Sequence, residues 1–110
     1  MSVEETENSQ IVNTTSSTSM LRKDAGSWLR EKRCALGLSQ RELAAKVNME
    51  YYTFISQIEA GRGRVPSERY EDWAKALEID PRDFAINLMK YYDPHTFDLV
   101  FGSKTETSRN

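Results

Sequence analysis

An all-α fold is predicted for this 110-residue chain: five helices between residues 21 and 92, with polar tails at both ends. Three observations predict it. Apolar residues in the middle of the chain recur at i, i+3 and i+4. Two helix-start signatures stand where such stripes begin, Ser39-x-x-Glu42 and Asp80-Pro81-x-Asp83. Glycines stand where stripes end, at Gly37 and Gly61.

Residues 1–20 are rich in Ser, Thr, Glu and Asn and are expected to form a disordered acidic tail. The first helix is placed from about Leu21 or Ala25 to Leu36, with Ala25, Leu29 and Leu36 facing inward and Gly37 ending it. Cys34 is read as a small core-facing residue of that helix. Ser39 and Glu42 form a capping box that starts the second helix, about Gln40 to Val47, with Leu43, Ala44 and Val47 on one side. Asn48, Met49 and Glu50 make a turn.

The third helix runs from about Tyr51 to Ala60, with Ile55 and Ile58 inward and Phe54 in core or rim packing. Tyr52, Thr53, Ser56 and Gln57 fall on its other faces. Outward, hydrogen-bond-capable side chains of this kind suit the reading of base edges in a DNA groove. A cationic loop, Gly61 to Pro66, follows, and it lacks the Gly-Lys-Ser/Thr of a phosphate-binding P-loop. Ser67 is the expected N-cap of the fourth helix, whose stripe is Tyr70, Trp73, Ala74 and Leu77. Asp80 caps the fifth, which carries Phe84, Leu88 and Tyr91 on one side and runs to about Tyr92.

Residues 93–110 form a C-terminal extension and tail. Within it, Phe97, Leu99 and Phe101 alternate with Thr96, Asp98 and Val100, the pattern of a short extended segment. Such a segment either pairs with its copy in a dimer or packs along the fifth helix. Tyr91, Tyr92, Phe97 and Phe101 supply more large apolar groups than a small core needs, which makes this stretch the expected dimer surface.

Net charge is −2, but it is unevenly spread. Residues 1–20 carry −3, residues 21–64 carry +4, and residues 65–110 carry −3. The basic block coincides with the second and third helices, as a footprint on phosphate requires. No run approaches the roughly 20 apolar residues of a membrane span. The acidic N-terminus lacks the order of a signal peptide, and one cysteine excludes an intrachain disulfide, so a cytoplasmic location is expected. One histidine, His95, and scattered carboxylates form no catalytic or metal-binding set, so neither an enzyme nor a cofactor is expected.

The segments LREKRCALGLSQRELAAKV, ISQIEAGRGRVPS and WAKALEIDPRDF occur in an order that resembles the phage lambda repressor/Cro-like, or XRE, helix-turn-helix family over about residues 25–90. One departure is visible: Leu43 to Ile55 is one residue longer than the commonest pattern, with Asn48 where glycine is usual. The entry residue of the third helix is therefore Glu50 or Tyr51. The resemblance implies a five-helix lambda-repressor-like domain whose third helix enters the major groove while the second crosses the backbone. It implies base contacts from Tyr52, Thr53, Gln57 and Ser56. Phosphate contacts would come from Gln40, Arg41, Arg62 and Arg64, and Arg33 and Glu59 would form a structural pair. The expected function is a homodimeric repressor of transcription on an inverted-repeat operator in double-stranded DNA, of prophage type. Alternatives are an activator touching RNA polymerase, the antitoxin of a toxin pair, and a protein-interaction module that has lost DNA binding.

Overall fold

The computed structural model describes the backbone of residues 2–102 and the side chains of residues 18–102. Among the described residues six helices follow one another: α1 (Ser2–Ala35), α2 (Gln40–Lys46), α3 (Thr53–Glu59), α4 (Tyr70–Ala76), α5 (Pro81–Tyr92) and α6 (Pro94–Phe97). A 3-10 turn, Ser67–Arg69, leads into α4, and a π turn, Asp98–Gly102, follows α6. The backbone of residues 2–20, expected as a disordered tail, is the first part of α1, while the side chains of residues 1–17 and the tail beyond Gly102 lie outside the described residues. Thr18, Ser19 and Met20 are helical and exposed, so α1 begins ahead of the expected Leu21.

Four helices close with the same device. Gly37, Asn48, Gly61 and Glu78 adopt φ of 72°, 58°, 83° and 59° after α1, α2, α3 and α4. In each case the next amide turns back to a carbonyl five residues earlier: Leu38 N to Arg33 O, Met49 N to Ala44 O, Arg62 N to Gln57 O, Ile79 N to Ala74 O. Asn48 therefore does the work expected of a glycine, which its short polar side chain permits. Glu78 does so without that help, and no sequence signal marks it.

The core is one cluster drawn from α1 to α5. Ala25 and Leu29 of α1 meet Leu43, Ala44 and Val47 of α2, Ile55 and Ile58 of α3, Trp73, Ala74 and Leu77 of α4, and Phe84 and Leu88 of α5. Phe84 ties three helices together, with its ring centroid 5.8 Å from Trp28 and 5.7 Å from Tyr70. Helix α1 packs on α3 and α5, while α2 packs on α3 and α4.

The crossing of α1 over α3 depends on Gly26. A Cβ there would lie 2.2 Å from the carbonyl oxygen of Glu59, an impossible approach to backbone. Gly26→Ala is expected to force the helices apart and cost about 1–3 kcal/mol, the usual range for overpacking. Urea unfolding measures this directly, and an unchanged midpoint would mean that α1 is not held at this distance.

Several expectations need correction. Residues 94–102 are helical, not extended. Asp93 caps α6 by accepting the Thr96 amide at 3.3 Å, and Pro94 occupies its first turn. The alternation of Phe97, Leu99 and Phe101 is outweighed by this local start signal, and Phe97 instead meets Phe101 at 5.2 Å across one turn. Leu36 is exposed because α1 has already ended at Ala35, and Cys34 is exposed on the outer face of α1. Ser67 makes no side-chain cap, since a 3-10 turn precedes α4. Helix α3 starts at Thr53, two residues later than expected, with Tyr52 as its uncapped N-cap. Phe54 lies outside the core, 48% exposed, with its ring against Tyr51.

Candidate nucleic-acid interface

Helix α2 is started by the predicted capping box. Glu42 N donates to Ser39 Oγ at 3.0 Å, and Ser39 N donates to Glu42 Oε1 at 2.8 Å. The Ser39 amide first, and then its side chain, hydrogen-bond to the Glu42 carboxyl and hold it below the usual carboxylate range. Helix α3 then lies against α2 with Ile55 and Ile58 buried beneath it. Its opposite side presents Thr53, Ser56 and Gln57, all exposed. Thr53 and Gln57 are four residues apart and Thr53 and Ser56 three apart, so the three share one continuous face.

A charged cluster fixes the far end of α3. Glu59 accepts Arg33 Nε on Oε2 at 2.7 Å and Arg33 Nη2 on Oε1 at 3.0 Å. Gln40 Nε2 donates to the same Oε1 at 3.1 Å, and Arg33 Nη1 reaches Leu38 O at 2.7 Å. The hydrogen bond to Glu59 raises the Arg33 pKa above its ordinary value, against the opposing effect of burial. One carboxylate thereby joins α1, α2 and α3. Gln40, expected on a phosphate, spends one amide hydrogen on this cluster and retains the other.

At the near end, Arg41 lies 4.7 Å from the centroid of the Tyr52 ring, a cation–π stack between α2 and the start of α3. Tyr52 is therefore partly covered by Arg41, although 39% of it remains exposed. Beside it, Tyr51 and Phe54 pair at 6.2 Å, both about half exposed. Beyond α3, Arg62 and Arg64 are exposed in the loop. Arg64 stacks on Tyr92 at 4.5 Å, and Tyr92 accepts the Val65 amide on its hydroxyl at 3.2 Å. Tyr92 is thus engaged within the chain. Tyr91 and Phe97 are half-buried, Phe101 is 39% exposed, and the largest apolar exposure beside them is Leu99 at 73%.

Sequence reasoning assigned no role to Arg69, yet its Nη1 donates to Val47 O at 3.0 Å and closes the end of α2. No pattern in the sequence announces this contact, because it joins residues 22 apart. Among the described residues no group of His, Cys, Asp or Glu side chains is placed to hold a metal ion. No helix there is long and apolar enough to cross a membrane.

Two short helices, an outward polar face on the second, and a carboxylate tying that helix to the first are the arrangement of a helix-turn-helix. Residues 29–84 match the family model described as helix-turn-helix. The chain belongs to the XRE-type helix-turn-helix family. This family comprises DNA-binding regulators of transcription rather than enzymes. The XRE-type chain is 35% identical over 69 residues to an uncharacterized transcriptional regulator in the ATPase CF(0) region of Rhodospirillum rubrum. That match takes in 63% of the chain and 62% of the relative, so less than two thirds of the relative's length is spanned. Among solved structures it is similar to the restriction-modification controller protein C.AhdI from Aeromonas hydrophila. Identity there is 36% with a TM-score of 0.52, over 58% of this chain and 94% of C.AhdI.

Proposed function

We propose that this XRE-type chain is a sequence-specific DNA-binding regulator of transcription that acts as a homodimeric repressor on an inverted-repeat operator. One observation carries the reading. Thr53, Ser56 and Gln57 share an exposed face, while Ile55, Ile58 and the Glu59 carboxylate lock the opposite side of α3 to the rest of the domain. A helix held this rigidly can present side chains to base edges without first being ordered. Gln57 is assigned a two-point contact to adenine, Thr53 a thymine methyl or an acceptor, and Ser56 a supporting hydrogen bond. Tyr52 reaches the groove with the edge and hydroxyl that Arg41 leaves free. Arg41, Arg62 and the remaining amide hydrogen of Gln40 are assigned to phosphates, which set register rather than sequence.

The dimer surface is assigned to the end of α5 and the segment after it, from Tyr91 and Phe97 to the exposed Leu99, Val100 and Phe101. In a two-fold dimer, two copies of α3 sit about 34 Å apart, one turn of duplex, and bury promoter DNA against other proteins. Titration with operator fragments at two salt concentrations tests the reading, with a log–log slope near −0.9 per phosphate neutralised. A flat salt response, or no preference over random duplex, would favour an interaction module instead.

Gln57→Ala is expected to cost about 1–3 kcal/mol on the cognate site and to relax preference at one base pair. Arg62→Ala should weaken all duplexes alike. Binding curves on single-base operator variants distinguish the two, and identical behaviour would end the division between reading and positioning residues. The likeness to C.AhdI supports a second reading, control of restriction-modification genes. Neighbouring endonuclease and methyltransferase genes, with bound sites at their promoter, would favour it.

A further inference from the structure

The loop between Gly61 and Pro66 is cationic and exposed at Arg62 and Arg64, yet one stretch of it is held firmly. Val65 is fully buried, and its amide donates to the Tyr92 hydroxyl at 3.2 Å. Arg64, one residue earlier, lays its guanidinium over the same Tyr92 ring at 4.5 Å. Tyr92 is the last residue of α5, whose Phe84 and Leu88 are buried in the core. The Tyr92 side chain therefore joins a loop carrying a positive charge to the end of α5.

We propose that Tyr92 is a positioning residue for DNA phosphate binding, its ring serving as a shelf that holds Arg64 in place for a phosphate oxygen. The chemistry permits both contacts at once. Stacking uses the flat face of the guanidinium, whereas its five N–H groups lie at the edge; the Tyr70 hydroxyl takes part of that edge and the rest is available to an anion. An arginine already held in one orientation loses less side-chain freedom on binding than one that moves freely. Burial pushes the Tyr92 phenol above its ordinary value, against the Val65 amide bond, which favours the ionised form, so the hydroxyl is neutral across the working pH range. Burial likewise raises the Tyr70 phenol, an effect opposed by the charge of Arg64, which places the guanidinium beside two tyrosines.

This inference rests on the DNA-binding reading, and the test separates the two. Affinity of the full chain for a short random-sequence duplex is measured against salt for the wild type and for R62A, R64A, Y92L, Y92F and the Y92L/R64A double variant. The log–log slope should fall by about 0.9 in R64A, the loss of one phosphate contact. Y92L should lose the same amount, and the double variant no more than either. Y92F keeps the ring and should keep the wild-type slope, while its Val65 amide exchanges faster with solvent. The proposal is overturned by a folded Y92L variant with the wild-type slope. It is equally overturned by a double variant that loses a second phosphate, or by Y92F as defective as Y92L.

Should Y92L fail to fold, NMR of the wild type decides. Arg64 side-chain protons shifted upfield by the ring, in the free and the duplex-bound protein, support the shelf, and unshifted protons overturn it. If R62A lowers the slope and neither R64A nor Y92L does, the shelf alone fails. If the wild type shows no salt-dependent binding, the DNA-binding reading fails and takes the positioning role with it.

Discussion

Arg33→Ala is expected to remove about 3–5 kcal/mol of stability, the usual loss when one partner of a buried ion pair is deleted. The Arg33 and Glu59 side chains are 10% and 4% exposed, so water reaches neither well. Without the guanidinium, the Glu59 carboxylate keeps only the Gln40 amide, and Leu38 O loses its donor. Folding of a typical domain is favourable by only about 5–15 kcal/mol, so much of the margin would go. The paired replacement Arg33→Met with Glu59→Leu should recover most of the loss, because it leaves no charge stranded. Urea unfolding of the three proteins measures both effects. A loss under about 1 kcal/mol in Arg33→Ala, the range of exposed pairs, would show that the cluster is solvated and does not anchor α3.

Phe84→Ala is expected to cost a similar amount, about 3–5 kcal/mol, for a different reason. The ring is fully buried and touches Trp28 of α1 and Tyr70 of α4, so its removal opens a cavity where three helices meet. Helix α5 also has only Phe84 and Leu88 fully buried, which leaves Leu88 to carry its docking. The loss should appear as a fall in Tm of about 4–8 °C per kcal/mol for a domain of this size. Trp28, half-buried against the ring, offers a fluorescence signal for the same event. A variant with near-native Tm would show that the surrounding side chains collapse into the space.

Most of the helical frame was legible because its signals are local. The capping box at Ser39 and the Asp80-Pro81 start sit in consecutive residues, and both appear as predicted. The stripes that bury Leu43, Ile55 and Trp73 need only helical spacing. The C-terminal segment is helical where an extended form is expected, and Asp93-Pro94 repeats the Asp80-Pro81 signal there. There the period-two alternation and the start signal disagreed, and hydrogen bonds made within four residues prevailed over a pattern that needed a partner strand. The exposed face of α3 is legible from the inward spacing of Ile55 and Ile58. What surrounds it is not: the stack of Arg41 on Tyr52, the bond from Arg69 to Val47 and the hold of Tyr92 on Val65 all join distant residues. No spacing rule encodes such contacts, since they follow from how the helices cross.

Cys34 faces outward from α1, in a shallow groove it shares with Trp28 and Tyr91, and it supplies the chain's one thiol. A nitroxide attached at that sulfur needs no engineered residue and disturbs no buried side chain. On a bound palindrome, two such spins would report the separation of the copies through their dipolar coupling. A lone copy would give no coupling at all, so pulsed magnetic resonance can count the molecules on the duplex.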